Sequence, residues 1–403
     1  MSVYIHFCHP SPIRIWGMTS QQRVERILGE TVRSCTADAL QGLAEHDTVL
    51  ILRGDYLFDD RLIENLAGTP NILLQLQEHQ PPTTVAAHVP AGLAGQALDL
   101  LTGRTAGETL PGIDLLTPAT VPLSFHKKLR KKEPPFILPI TAERRRDLER
   151  RLFNWSYKGV TDLVTKWAWP GLARQVVRLC VPLHIRPNHV TLTGLVLVII
   201  AGIAFATGHY GPGLLAGWLM TFLDTVDGKL ARVTLTSSRF GHYFDHVIDL
   251  VHPPLWYIVW ALGLPAAQID SLGLPLSTFF WLILVGYIGG RLVEGSFQLL
   301  LGKFSIFCWQ PVDSYFRLIT ARRNPNLILL TLSYLAGRPD LGLVAVTLWT
   351  LISTVFLLVR LATAGYERIR QGRPLDSWLS EADTPRYEHS LAARIFTGRQ
   401  ARR

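Results

Sequence analysis

The sequence predicts a two-part chain: a small α/β domain, then an all-α domain of six transmembrane helices with an interfacial amphipathic helix before it. Three observations carry this. Of the 403 residues 48% are hydrophobic and 18% charged, below the roughly 25% charged residues of an ordinary globular domain. The apolar residues are unevenly spread: residues 1 to about 150 are a soluble mixture, whereas 185–366 hold long apolar runs. A strand pattern, DTVLILRGD (Asp47–Asp55), lies among helical patterns in the first part.

Within that first part the helical patterns are Gln21–Leu28 and Leu62–Leu66, and NILLQLQ (Asn71–Gln77) reads as a second strand. Strands alternating with helices predict a largely parallel sheet. The start, MSVYIHFCHPSP, lacks the basic and apolar pattern of a cleavable signal peptide. Cys8, Cys35, Cys180 and Cys308 lie far apart, so separate thiols are expected rather than a disulfide framework or zinc site. The formal net charge of +9 sits largely beside apolar spans. That placement fits an anionic membrane surface better than nucleic acid.

KKLRKKEPP (Lys127–Pro135) and ERRRDLERR (Glu143–Arg151) read as linker and as a helix at the membrane surface. In Leu152–Pro182, tryptophans and valines alternate with Lys158, Lys166, Arg174 and Arg178, which suits a helix in the interface plane, with Pro170 breaking it in two. The expected spans are 190–208, 212–230, 241–264, 275–296, 325–338 and 341–359. The first has no formal charge and is long enough to cross roughly 30 Å of hydrocarbon. Basic residues cluster on the side that holds both termini, which the positive-inside rule makes cytoplasmic. The expected boundaries are 1–135 for the α/β domain, 136–183 for the basic linker and juxtamembrane helix, 184–372 for the membrane domain and 373–403 for a basic cytoplasmic tail.

The chemistry concentrates in DTVDGKLARVTLTSSRFGHYFDHVID (Asp224–Asp249). Asp224 and Asp227 share one helix face, and Gly241, Asp245 and Asp249 form an i, i+4, i+8 stripe on the next helix. An isolated ionised aspartate at the bilayer centre costs about 2.5–3.5 kcal/mol, so four need a compensating charge. Carboxylates without cysteine match a hard divalent ion, Mg²⁺ or Mn²⁺. Gly228, Ala231 and Gly241 keep the neighbouring surface low, and Arg232 adds a fixed positive charge, as a diphosphate-bearing nucleotide requires.

Asp224-x2-Asp227-Gly228-x2-Ala231-Arg232-x8-Gly241-x3-Asp245-x3-Asp249 resembles the signature of the CDP-alcohol phosphotransferases, also called CDP-alcohol phosphatidyltransferases. RPNHVT (Arg186–Thr191) is similar to the PNxVT entry of many members, and the likeness spans roughly residues 150 to 370. The resemblance implies one or two metal ions on Asp224, Asp227, Asp245 and Asp249, with Asp249 also the general base. It implies that Gly228, Ala231, Arg232 and Gly241 receive the CDP moiety. The implied reaction moves a substituted phosphate from a CDP-linked alcohol to a second alcohol and releases CMP. The donor is CDP-diacylglycerol or a small CDP-alcohol such as CDP-inositol, the lipid bilayer is the setting, and a homodimer is a family expectation. Two other readings of the intramembrane acids are a divalent-cation transporter and a non-catalytic membrane scaffold. Neither gives the Gly-Ala-Arg positions a purpose.

Arg291 and Glu294 interrupt the fourth span at helical spacing, either paired with each other or with Arg291 holding an acceptor phosphate. Arg322 and Arg323 precede Pro325 at the start of the fifth span, as lipid anchors or acceptor ligands. His242, His246 and His252 flank the motif as polar filling or as tuning groups. Val49–Leu66 resembles the strand-then-Gly-Asp segment of nucleotidyltransferases, which would make Asp55 a Mg²⁺ ligand. The glycine-rich triphosphate loop of those enzymes is missing, and RIWGMTSQQRVERIL (Arg14–Leu28) stands at its expected place. The expectation is a degenerate nucleotidyltransferase-like domain, retained as scaffold or donor-binding module.

Overall fold

Thr48–Arg53 forms a strand whose side chains are apolar on both sides, and both sides are covered. A computed structural model describes residues 2–77, 82–105, 109–118, 120–121, 125–126, 129–237 and 239–397; within these, the side chains of 125–126, 239–240, 242 and 245 lie outside the description. Residues 1–126, 133–155 and 233–235 form one compact unit, and 127–132, 156–232 and 236–403 form another.

The first unit is built on strands β1 (Val3–Cys8), β2 (Arg33–Ser34), β3 (Thr48–Arg53), β4 (Tyr56–Phe58), β5 (Ile72–Leu76), β6 (Thr83–Pro90) and β7 (Asp114–Leu116). Six of them make one sheet in the order β2-β1-β3-β6-β5-β7. Only β6 runs against its neighbours β3 and β5; the other pairings are parallel. Helices α1 (Ser20–Leu28), α2 (Asp60–Gly68) and α3 (Ala94–Thr102) complete the layers. Leu50 and Leu52 face a core with Val24, Leu62 and Leu66 of α1 and α2. Val49 and Ile51 face the opposite core with Ala94, Ala97 and Leu101 of α3. A strand covered on both faces reads as a continuous apolar run rather than an alternating one. Thr19 and Gln22 close a capping box on α1, and Asp59 caps α2 through the Arg61 N–H.

Helix α4 (Arg145–Trp155) also belongs to this unit, contrary to the expected linker and surface helix. Leu148, Leu152 and Phe153 form a buried stripe beneath the arginines, and the Trp16 indole donates to the Glu149 carbonyl at 2.9 Å. The basic outer face of α4 dominates its composition and hides that stripe.

The second unit is helical. A wide π-turn (Val164–Ala168) leads into α5 (Trp169–Cys180), with Pro170 in its first turn. Then follow α6 (Pro187–Ala206), α7 (Tyr210–Val233), α8 (Arg239–Leu262), the short α9 (Ala266–Asp270), α10 (Leu276–Ser296), α11 (Pro311–Ile319), α12 (Arg323–Leu335), α13 (Pro339–Gln371) and α14 (Leu391–Phe396). Each of the six expected spans falls on a helix. Among the described residues, Pro187–Ala206, Leu276–Gly302 and Pro339–Gln371 are long and apolar enough to cross a membrane. Helices α7 and α8 carry the aspartates and their flanking basic residues, and α12 has 13 residues. Phe205, Met220, Trp256, Trp260, Ile283, Leu327 and Val346 bring six of these helices into one core. Glycines let α10 approach α13 closely: a methyl at Gly286 would lie 3.0 Å from Thr350, and Thr354 donates to the Gly286 carbonyl at 2.6 Å.

The region expected as a cytoplasmic tail folds onto this unit as far as residue 397. Trp378, Leu379 and Phe396 are buried, and the Trp378 indole donates to Ser314 at 2.9 Å. Positions 398–403 lie outside the described residues, as do Lys127 and Lys128 of the expected linker.

Candidate active site

Helices α7 and α8 carry the motif, and its described side chains fall into two groups, Asp224 with Asp249 and Asp227 with Arg232. Asp227 is buried, and the Thr191 hydroxyl, from the second turn of α6, donates to its Oδ2 at 2.6 Å. Asp224, one turn earlier on α7, meets Asp249 of α8 through a third helix. Arg323, the first residue of α12, donates from Nη2 to Asp224 Oδ2 and from Nη1 to Asp249 Oδ1, each at 2.5 Å. The start of α12 is itself fixed by the buried Asn324, whose amide donates to Asp162 at 2.9 Å.

The residues expected around the nucleotide line one open cleft of about 160 Å³. Gly228, Ala231, Arg232 and Gly241 share it with Asp227, and Pro187, Asn188 and Thr191 complete its wall. A methyl at Gly228 would lie 3.2 Å from the Arg232 guanidinium, so the missing side chain lets that group fold across the helix. Arg232 Nη1 also donates to the Ser156 carbonyl at 2.9 Å, which ties it down on the other side. Thr191 and Asn188 are functional candidates that the residue-by-residue reading left without a role. RPNHVT was their signal, since a motif at a helix start places its Asn and Thr on the first two turns.

Among the described residues no three carboxylate, histidine or cysteine side chains converge as a ligand set. The expected fourth carboxylate, Asp245, and His242 lie outside the described side chains. His246 is exposed; His252 is buried, with Nδ1 2.6 Å from the Ile248 carbonyl. The surroundings nevertheless fit a hard cation. The donors are carboxylate oxygens, and a side-chain cation, the Arg323 guanidinium, already stands between two of them.

A second polar cluster lies at the ends of α10, α11 and α12. Arg291 pairs with Glu294 at 3.2 Å, and Arg322 pairs with the same carboxylate. The guanidiniums of Arg317 and Arg322 each lie 5.5 Å from the Phe307 ring centroid. Two arginines thus share Glu294, with Arg317 beside them and Asp162 the acid that weighs most on it. Arg291 Nε, Arg322 Nε, and Nε and Nη1 of Arg317 are buried with no hydrogen-bond acceptor among the described residues. Burial, with the Arg322 guanidinium next in weight, holds Arg317 below the usual guanidinium value. Arg317 has no local signal in the sequence: the Phe307 ring it lies against belongs to the turn at Ile306–Cys308, which no local pattern announces.

In the first unit, Asp55 follows β3 as expected, but Arg53 binds it through Nε at 3.0 Å and Nη2 at 2.6 Å. A methyl at Gly54 would lie 3.0 Å from the Pro10 Cα, so the chain after β1 closes over this strand end.

Residues 184–295 match the family model described as CDP-alcohol phosphatidyltransferase. The chain is similar to cholinephosphotransferase 1 of Xenopus laevis, 27% identical over 126 residues that cover 28% of this chain and 30% of that protein. It is 28% identical over 139 residues to a bifunctional IPC transferase and DIPP synthase of Thermococcus kodakarensis, covering 31% and 32%. To the phosphatidylinositol phosphate synthase of Mycobacteroides abscessus it is 36% identical over 66 residues, covering 16% and 30%. The matched segments therefore span about a third of these relatives' length. Through residues 184–295, the chain carries a domain of the CDP-alcohol phosphatidyltransferase family.

Proposed function

We propose that this protein is a multi-pass membrane enzyme that transfers a substituted phosphate from a CDP-linked alcohol to the hydroxyl of an acceptor alcohol, releasing CMP. The observation that carries this reading is the shared cleft of Asp227, Gly228, Ala231, Arg232 and Gly241, which opens beside the carboxylates of α7 and α8. The low floor at Gly228, Ala231 and Gly241 admits the cytidine diphosphate, and Arg232 offers its guanidinium to the phosphates. Mg²⁺ or Mn²⁺ would be held by Asp224, Asp227, Asp245 and Asp249, and when bound would supply charge neutralisation for the diphosphate and the departing CMP. Thr191 keeps Asp227 in position through its hydrogen bond. Asp249 takes the proton from the acceptor hydroxyl as that oxygen bonds to the phosphorus carrying the donor alcohol. The bond from that phosphorus to the bridging oxygen breaks, and CMP leaves with the oxygen.

Arg291, Arg317 and Arg322 outnumber the nearby acids Glu294 and Asp162, and that excess favours an acceptor that carries its own phosphate. Arg323, once an ion takes its place on Asp224 and Asp249, would be released to meet an acceptor phosphate from the same helix start. The Asp55–Arg53 pair and the closed strand end favour the first unit as a scaffold or donor-binding module, degenerate as a nucleotidyltransferase. Exposed Trp167, Leu172 and Leu179 beside Arg174 and Arg178 support α5 as the interfacial helix, with both termini cytoplasmic.

The test is CMP release by purified protein with Mg²⁺ across a panel of CDP-linked donors, each offered acceptors with and without a phosphate. Release that needs both a donor and a phosphorylated acceptor is the expected result. Failure of every donor to yield CMP refutes the transferase reading.

A further inference from the structure

The helix that carries Asp249 lacks two hydrogen-bond donors just beyond it. Pro253 and Pro254 stand inside α8. A proline has no N–H, so the carbonyls four residues earlier lose their helical donors. Those carbonyls belong to Asp249 and Leu250. The hydroxyl of Tyr287, reaching across from α10, lies 3.0 Å from the Leu250 carbonyl and 3.4 Å from that of Asp249. The same stretch draws on another side chain, because His252 Nδ1 reaches the Ile248 carbonyl at 2.6 Å.

Tyr287 is well placed for such a task. Its neighbour Gly286 is locked to α13 by the Thr354 hydroxyl, and the Arg291 guanidinium lies 5.3 Å from the centre of the Tyr287 ring. The phenol therefore stands on a fixed helix and offers one donor to two carbonyls orphaned by the paired prolines. A carbonyl left without a donor at this depth costs free energy and frees the helix to bend further.

We infer that Tyr287 is a positioning residue for Asp249: its hydroxyl replaces the helical donors removed by Pro253 and Pro254 and so fixes the direction in which the Asp249 carboxylate points. This rests on the reading of Asp249 as the proton acceptor.

The test is a double-mutant cycle on the full-length protein in detergent or nanodiscs, with CMP release and thermal unfolding as readouts. Tyr287→Phe lowers kcat about tenfold, the scale of one lost hydrogen bond, and leaves KM for the CDP donor within about twofold of wild type. In Pro253→Ala/Pro254→Ala, residues 253 and 254 again supply N–H groups. Adding Tyr287→Phe there costs less than about twofold in kcat, and its destabilisation in the wild-type background disappears. If the alanine pair is itself inactive, the unfolding midpoints alone complete the cycle. Equal effects of Tyr287→Phe in both backgrounds, or an unchanged kcat in the wild-type background, overturn the assignment. Absence of CMP release from the wild type itself sinks the transferase reading instead, so the two failures are distinguishable.

Discussion

Arg323 Nη1 donates to Asp249 Oδ1 at 2.5 Å, and the same guanidinium holds Asp224 at 2.5 Å, so one side chain of α12 joins the acids of α7 and α8. Carboxylates brought together away from bulk water need a positive partner. In this chain the partner is built in, and it stands where the proposed ions would meet the same oxygens. Metal binding should therefore compete with Arg323. Arg323→Gln should lower the unfolding midpoint by several degrees in EDTA, the scale of about 1.5–3 kcal/mol for a lost charged hydrogen bond. Millimolar Mn²⁺ should restore most of that loss, and Mn²⁺ titration should show tighter binding than in the wild type. Equal affinities would mean that Arg323 and the ion do not share a position.

Thr191 acts on the same centre from α6. Its hydroxyl is the side-chain donor to the buried Asp227, and second partners of metal ligands typically matter 10–100-fold. Thr191→Val should raise the Mn²⁺ concentration needed for half-maximal CMP release by about that range, whereas Thr191→Ser should remain within about threefold of wild type. A silent Thr191→Val would remove the hydroxyl from the catalytic centre.

The arginine cluster should distinguish acceptor from donor. Arg317→Met should raise KM for a phosphorylated acceptor by about tenfold or more, the value of one lost charged hydrogen bond, with the donor KM unchanged. Inorganic phosphate should raise the unfolding midpoint of the wild type and have a smaller effect on Arg317→Met, because an anion bound only by the folded chain stabilises it. An acceptor KM insensitive to Arg317 would assign the cluster to packing alone.

Much of this site was legible in the chain, because an i, i+3 pair and an i, i+4, i+8 stripe state which side chains share a helix face. Arg291 and Glu294 were legible for the same reason. Arg317 and Tyr287 are not: each acts across a helix interface, and nothing local to the sequence says which helix lies opposite; RPNHVT marks Thr191 but not its partner Asp227. Helix α4 was misread because four arginines and two acids outweigh Leu148, Leu152 and Phe153 in a composition count. The segment after Gln371 reads as a tail for a related reason. Trp378, Leu379 and Phe396 are too widely spaced there to announce a core. In the first unit, β3 and β5 stood out as apolar runs, whereas β6, TTVAAHVP, is alanine-rich and carries a histidine, so its burial is invisible without its neighbours.

That histidine gives the first unit a pH dependence of known sign. His88 is buried in β6, with Nδ1 2.8 Å from the Leu66 carbonyl and Nε2 2.9 Å from the Thr48 hydroxyl. Burial holds its pKa below the ordinary value of 6.5. Below pH 6.5 the unfolded chain takes up a proton that the folded chain refuses, so stability falls as the pH drops from there toward the folded value. The slope is at most about 1.4 kcal/mol per pH unit. Protection factors of the β3 and β6 amides, taken after division by the intrinsic exchange rate at each pH, should fall between pH 7 and pH 5. His88→Gln should show less of that fall. Identical behaviour of the two chains would place the titrating group elsewhere.

The most direct measurement pairs Mn²⁺ binding, followed by electron paramagnetic resonance, with CMP release in the single variants Asp224→Asn, Asp227→Asn and Asp249→Asn. One or two ions per wild-type chain are expected, with binding weakened in Asp224→Asn and Asp227→Asn. In Asp249→Asn the ion should still bind while CMP release is lost. Full CMP release by Asp249→Asn, or Mn²⁺ binding indifferent to Asp224 and Asp227, would contradict a cation-dependent transferase centre between α7 and α8.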